Sequence, residues 1–260
     1  MEKQNDEFID LTVNDCIVGF RQEYQNEYKI IEEFINIFRM CEEEMEKIGP
    51  NLQNTYLLAA IMQLNKLYQS TIILFERGLK DPANVIIRTI IELVFKSIAV
   101  IRDEEFIDKL SLYQQYENKK CLEDIKNNKL FDMVPEKELE ILIKKCNKEI
   151  NGAKKPDMNI YELAKQNKLS KEYILYRLQC DYTHHSNSVI EGIIKVKDNG
   201  YYIDGNFQLE DFKKSVAWVI SITSSIFPIL LNEYLKNRNL IGEYNKFLKK
   251  FEETFKDVLN

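Results

Sequence analysis

The chain has 260 residues, of which 45% are hydrophobic and 30% charged, a composition typical of a soluble globular protein. Its net charge of −6 is uneven, because residues 1–48 contain 13 acidic and 5 basic side chains whereas the remainder is nearly balanced. A charge balance of this kind argues against tight, non-specific binding to long nucleic acid, although a local basic site stays open.

Only 8 Gly and 5 Pro are present, so long helices joined by few loops are expected. After an irregular start, an amphipathic pattern predicts a helix from Arg21 to about Ile48, ended by Gly49 and Pro50. Apolar residues at steps of three and four predict a second helix over about 51–80. Asp81 before Pro82 is a cap followed by a first-turn proline, which predicts a third helix over about 82–102.

Further helices are predicted at about 104–129, 135–151, 159–168, 170–186, 209–237 and 241–258. The helix over 209–237 contains Pro228, near which a kink or interruption is expected. Residues 192–205 change to alternating β-branched and aromatic residues around an Asn-Gly turn, which predicts a short β-hairpin. The prediction is an all-α single domain over 1–260, a compact bundle of long antiparallel helices with this one hairpin.

Five scattered cysteines, with no CxxC pair, indicate reduced thiols in a cytosol rather than a disulfide framework or a zinc site. No apolar run follows Met1, so no N-terminal signal is expected and the location is predicted to be cytoplasmic. The stretch Ser215 to Asn232 lacks charge but contains several hydroxyl side chains and Pro228, so a buried core helix is expected rather than a membrane span.

The third predicted helix is apolar nearly all round, which indicates burial on every side. Arg88 and Glu92 are its only charged residues between Pro82 and Phe95, and they lie one turn apart. Because burying either charge alone is costly, we expect the two side chains to pair.

Both histidines of the chain lie together in the tract from Tyr176 to Ser186. On a helix, Arg177, Asp181 and His184 share one face. His184 has the chemistry to take a proton from an RNA 2′-hydroxyl, Arg177 to stabilise the phosphate, and Asp181 to orient the imidazole. The alternative interpretation is a surface ladder of ion pairs near the end of a helix.

The Arg177-x6-His184 spacing resembles the Arg-x4–6-His signature of the HEPN superfamily, whose all-helical members include many metal-independent RNases of toxin and antiviral systems. More closely, the chain resembles an uncharacterised bacterial family with Arg-x3-Glu and a later Tyr-x3-Ser-x-Tyr-x-His-x-Ser segment. Those residues correspond here to Arg88 and Glu92, and then to Tyr176, Cys180, Tyr182, His184 and Ser186. The likeness covers about residues 50–240 and leaves 1–48 as an acidic helical extension.

This resemblance implies a bacterial protein of a defence, stress or toxin–antitoxin system that forms a homodimer. It also implies that His184, Arg177 and Asp181 cleave RNA. The sequence departs from the pattern at Leu178, where HEPN RNases have Asn, Asp or His, and at Cys180, where the closer family has Ser. The family pattern favours His184 over His185, and it leaves open whether Arg88 or Arg177 faces that histidine.

A second hypothesis is a non-catalytic module that binds a nucleotide, an antitoxin or another partner protein. Its site is built around Arg88, Glu92 and His184, and the remaining binding candidates are Tyr182, His185 and Ser186. A third hypothesis is that the polar cluster only fixes helix packing. No metal site, cofactor motif or membrane partner is predicted, and a lysine group over 144–155 is either a phosphate contact or a solvated loop.

Overall fold

The computed structural model describes residues 13–132, 134–183, 194–197, 200–203 and 210–259. The helices are α1 (Val13–Glu23), α2 (Gln25–Ile48), α3 (Leu52–Glu76), α4 (Lys80–Arg102), α5 (Phe106–Asn127), α6 (Glu136–Ile150), α7 (Ile160–Gln166), α8 (Ser170–Thr183), α9 (Glu210–Ser224) and α10 (Arg238–Leu259). The all-α class predicted from the sequence is confirmed. Two short strands, β1 (Ile194–Lys197) and β2 (Gly200–Ile203), pair antiparallel with Ile194 opposite Ile203.

The start of the chain differs from the expectation of an irregular segment before Arg21. From Val13 onward it forms α1, and a break at Tyr24 separates α1 from α2. Tertiary contacts explain the extra helix, because the Phe20 ring packs against Phe212 of α9 with ring centroids 4.6 Å apart. Arg21 also forms an ion pair with Glu76 of α3. Contacts between such distant positions leave no local signal in the sequence.

The expected Asp81 cap of the third helix is wrong, because α4 begins two residues earlier than expected, at Lys80, and Leu79 is the capping residue. Asp81 and Pro82 lie in the first turn, where backbone N–H groups have no helical partner. Proline is therefore tolerated there, and a carboxylate is favourable near the helix N-terminus. Gly78, with φ of 71°, makes the turn between α3 and α4, in a left-handed conformation that glycine adopts without strain.

Helix α4 lies at the centre of the fold and packs against α3, α5, α7, α8 and α9. One continuous hydrophobic cluster extends from α2 through α5 and from α7 through α10. Within that cluster, an aromatic group joins α2, α3, the turn after α9 and α10; its members are Phe34, Phe38, Tyr68, Phe227 and Phe247. The burial of α4 agrees with its nearly continuous apolar sequence.

The predicted interruption near Pro228 is confirmed. After α9, a single turn, Phe227–Ile229, leads into a π-helical segment, Leu230–Leu235. The helical stretch Phe212–Leu235 is long and apolar enough to cross a membrane, but 67% of its most apolar window is buried inside the protein. That burial is the pattern of a core helix, as expected from its hydroxyl side chains.

Helices α5 and α6 form a hairpin, and α6 packs mainly on α5. The buried residues of α6 are Leu139, Cys146 and Ile150, which recur at steps of seven and four and define one side of the helix. The hairpin returns to the body of the fold through residues 151–159, which lead into α7.

Candidate functional site

The candidate site is a half-buried polar cluster between α4 and α8. Arg88 and Glu92 lie one turn apart on α4, with Arg88 Nε 3.4 Å from Glu92 Oε1. The hydroxyl of Tyr176, from α8, donates a hydrogen bond of 3.0 Å to Glu92 Oε1 and accepts one of 3.2 Å from Arg88 Nη2. Tyr176 therefore closes a three-membered network that ties the two helices together.

Burial and charge together set the electrostatics of this cluster. The side chains of Arg88 and Glu92 are only 19% and 28% exposed, and the Arg88 guanidinium lies 5.3 Å from the centroid of the Tyr176 ring. Burial raises the pKa of the Tyr176 hydroxyl above its usual value, so the group remains a proton donor at neutral pH. Burial acts to lower the pKa of Arg88, but the Tyr176 hydrogen bond and nearby negative groups raise it.

Arg88 has hydrogen-bonding capacity left over. Its Nε atom is buried and lies at ion-pair distance from Glu92, yet within the described part of the chain it donates no hydrogen bond. Lys96 Nζ lies 4.0 Å from the second oxygen of Glu92, one further turn along α4. The cluster therefore holds two cationic side chains around one carboxylate, which is a local excess of positive charge.

An aromatic row continues from this cluster towards α7. The rings of Tyr173 and Tyr176 stack at a centroid distance of 6.0 Å, and Tyr161 of α7 meets Tyr173 edge-on at 5.1 Å. Tyr161 is 46% exposed, so the row runs from the protein surface to Arg88. Aromatic rows of this kind hold helices in place and also present ring faces to planar ligands.

The comparison with protein families matches residues 54–202, which include α4, α8 and the histidine tract. The chain belongs to DUF5677, a family of unknown function. No curated protein matches the chain, and no solved structure matches it either. Membership of DUF5677 therefore places the candidate site inside the family region without assigning it an activity.

Within the DUF5677 region, the structure brings together some of the residues expected from the sequence. Arg88 and Glu92 pair as expected. Arg177 follows Tyr176 by one residue, is turned by about 100° around α8, and is exposed. Leu178 is 55% exposed.

The rest of the histidine tract is described in part. Asp181 and Tyr182 belong to the last turn of α8. His184, His185 and Ser186 lie outside the described residues. The choice between Arg88 and Arg177 as the residue that faces His184 therefore stays open. The described geometry adds that Arg88 contacts the side of α8 that carries Tyr176.

Two residues of the cluster were not among the site residues chosen from the sequence. Tyr176 appears in the family pattern, but its hydrogen bonds span 88 and 84 residues of sequence and have no local signature. Lys96 follows Glu92 at the i+4 spacing that favours an ion pair, which is a signal that the sequence does contain. Among the described residues, no group of three or more metal-ligating side chains occurs.

Proposed function

We propose that this protein is a HEPN-like RNA endonuclease that acts at the end of α8 without a metal ion. The observation that carries the proposal is that α8 is one helix from Ser170 to Thr183, anchored to α4 through Tyr176, with Arg177 exposed beside that anchor. A rigid helix holds a phosphate-binding cation at a fixed position, as catalysis by positioning requires. The resemblance of the tract to HEPN RNases supplies the reaction.

In the proposed reaction, His184 takes the proton from a 2′-hydroxyl, and the 2′-oxygen attacks the adjacent phosphorus. The bond from phosphorus to the 5′-oxygen breaks, the 5′-oxygen takes up a proton, and a 2′,3′-cyclic phosphate remains. Arg177 stabilises the negative charge that builds on the phosphate, and Asp181 orients the imidazole. In this proposal the active form is a cytoplasmic homodimer of a bacterial defence or toxin–antitoxin system, with an antitoxin or another protein as its partner.

The test is to incubate wild type and three variants with mixed RNA in EDTA and to resolve the products and their ends. His184→Ala is expected to slow cleavage by about 100-fold or more, the range typical of a lost general base. Arg177→Ala is expected to slow it by about 100-fold, and Lys171→Ala, at an exposed cation in the first turn of α8, serves as the matched control. Cleavage by His184→Ala at the wild-type rate would contradict the proposal, provided that circular dichroism shows an unchanged fold.

The second candidate is a non-catalytic module that binds a nucleotide at Arg88. The buried Arg88 Nε, which has no hydrogen bond within the described part of the chain, favours it, and so does the exposed Leu178 where HEPN RNases have a polar residue. A nucleotide that binds only the folded state raises the melting temperature by mass action. At a concentration of 100 times its Kd, it increases the free energy of unfolding by about 2.7 kcal/mol. We expect Arg88→Ala to abolish that rise while RNA stays intact under the same conditions.

A further inference from the structure

Helix α6 exposes four lysines on the side opposite its buried face. We call Lys137, Lys144, Lys145 and Lys148 the lysine face; all four are exposed, whereas Leu139, Cys146 and Ile150 are buried on the opposite side. Lys137 and Lys148 are eleven residues apart, so the lysine face extends for about 16 Å at 1.5 Å per residue. The positive charges therefore form a line along one side of a helix.

The lysine face carries charge that the hairpin does not neutralise. Within the described residues, no carboxylate lies within ion-pair distance of these four ammonium groups. Other lysines in and next to the hairpin do have partners, since Lys119 pairs with Glu123, Lys126 with Glu140, and Lys155 with Glu117. The hairpin therefore uses part of its acidic side chains in surface pairs with other lysines, and none of these pairs includes a lysine of the lysine face.

The glutamates of α6 do not interrupt this line. Glu138 and Glu149 are exposed, and at 100° per residue they lie next to Lys145, at one edge of the lysine face. Glu140 lies on the other side and pairs with Lys126. A long anion that lies along α6 over Lys137, Lys144 and Lys148 therefore meets ammonium groups first and carboxylates only at the two edges of the lysine face.

The shape of α6 favours a nucleic-acid backbone over a lipid surface. A helix that binds a membrane inserts a broad apolar face, but the apolar side of α6 is already buried against α5. Ile141, which is 65% exposed, is the one large apolar residue on the lysine side of α6. A stacked strand carries one phosphate per about 3.4 Å, so the 16 Å line runs beside about four or five phosphates.

We propose that the lysine face binds the phosphate backbone of the RNA on which the protein acts. The choice of RNA as the ligand rests on the proposed function. In that function, the lysine face binds the RNA strand at a position outside the α4–α8 cluster. The connection between the two is short: residues 151–159, with exposed Lys154, lead from α6 into α7, and α7 contacts α8 through Tyr161 and Tyr173. The lysine face is therefore a substrate-binding surface separate from the residues assigned to chemistry.

The test measures binding of fluorescent single-stranded RNA by the full chain carrying His184→Ala, which keeps the RNA intact. In that background, Lys137, Lys144, Lys145 and Lys148 are replaced together by Gln. The matched control replaces four exposed lysines of α2, α3 and α10 by Gln, namely Lys29, Lys66, Lys246 and Lys249. Binding is measured over a series of salt concentrations, and melting temperatures confirm that both variants fold.

The lysine-face variant is expected to bind RNA about tenfold more weakly at low salt, and the control to bind like its parent. The slope of log affinity against log salt is expected to fall by about 0.7 for each lost phosphate contact, or about 3 for all four. Equal affinities and slopes for the two variants would overturn the proposal. So would lysine-dependent binding to vesicles of phosphatidylcholine and phosphatidylserine with no lysine-dependent binding to RNA.

Measuring RNA cleavage by the protein with His184 intact separates the proposed nuclease function from the proposed RNA-binding surface. If the lysine face binds RNA but wild type does not cleave it, the RNA surface stands and the nuclease assignment fails. If wild type cleaves RNA and the lysine-face variant binds and cleaves it equally well, the nuclease stands and this inference fails.

Discussion

Tyr68 is fully buried on α3, and within the described part of the chain its hydroxyl has no hydrogen-bond partner. Burial raises the pKa of that hydroxyl well above its usual value. A buried polar group without a partner costs about 1–3 kcal/mol, whereas its removal leaves the ring contacts with Phe34 and Phe38 in place. We therefore expect Tyr68→Phe to stabilise the protein by about 1 kcal/mol in chemical denaturation.

Tyr244→Phe is the matched control for that substitution. The Tyr244 hydroxyl is also buried, but it donates a hydrogen bond of 3.1 Å to the carbonyl of Ser224. Its removal leaves that carbonyl without its partner, so the same chemical change is expected to destabilise the protein by about 1 kcal/mol. A loss of stability in Tyr68→Phe equal to that in Tyr244→Phe would show that the Tyr68 hydroxyl is bonded.

At the scale of elements, the hydroxyl of Tyr176 makes two hydrogen bonds that add to the apolar contact between α4 and α8. Tyr176→Phe keeps the ring and removes the hydrogen bonds to Arg88 and Glu92, both of which are charged. Hydrogen bonds to charged groups contribute about 1.5–3 kcal/mol, so we expect a loss of about 2 kcal/mol in the free energy of unfolding. Hydrogen exchange of α8 amides is expected to accelerate, because α8 then loses its polar tie to α4.

Tyr173→Phe is the matched control, since Tyr173 lies one turn earlier on α8 and its ring packs between Tyr161 and Tyr176. The substitution preserves that packing, and its effect on stability is expected to stay within about 0.5 kcal/mol. If Tyr173→Phe and Tyr176→Phe destabilise the protein equally, the hydrogen bonds do not carry the α4–α8 contact.

The elements that could be predicted from the sequence are those with strong local periodicity. Helices α3 to α6 and α10 lie within a few residues of their expected ranges, because each has an apolar side at helical spacing. The extra helix α1 was missed because contacts of Phe20 and Arg21 with distant helices stabilise it. The spacing of polar and apolar residues along the sequence does not indicate contacts between distant helices.

In the candidate site too, local features could be predicted from the sequence and long-range contacts could not. The Arg88–Glu92 pair could be predicted, because two opposite charges one turn apart on a buried helix are each costly to bury without the other. The part played by Tyr176 could not, because it depends on how α8 rotates against α4. Two other long-range clusters also lacked a sequence signal: Arg102 with Asn167 and Glu233, and Arg21 with Tyr28 and Glu76.

At the scale of the whole molecule, polar ties of this kind connect the centre of the fold to its ends. Arg102, at the last turn of α4, donates to the Asn167 carbonyl at 2.9 Å and pairs with Glu233 of the π-helical segment. Arg21 of α1 binds Glu76 through two hydrogen bonds, and the Glu76 side chain is only 4% exposed. The apolar core sets the helix positions, and these buried or half-buried pairs fix the termini of α3 and α4 against their neighbours.

Alkaline pH should test the whole core at once, because burial raises the pKa of several acidic groups in it. The pKa of Tyr56, Tyr244 and Cys41 is raised to about 12 in each case, mainly by burial. In the unfolded chain these groups titrate near their ordinary values, about 10 for tyrosine and about 8.5 for cysteine. Above those values the unfolded state binds fewer protons than the native state, so stability falls as pH rises.

We therefore expect the free energy of unfolding contributed by these groups to be constant up to about pH 8 and to decrease from there towards pH 12. Tyr244 alone contributes about 2–3 kcal/mol to that decrease, since each pKa unit corresponds to about 1.4 kcal/mol. Urea unfolding at a series of pH values measures the slope. Tyr244→Phe should be less stable than wild type at pH 8 but lose less stability between pH 10 and 12, because its residue 244 has no proton to release. An equal loss in both proteins would mean that Tyr244 titrates in the folded state as it does in the unfolded chain.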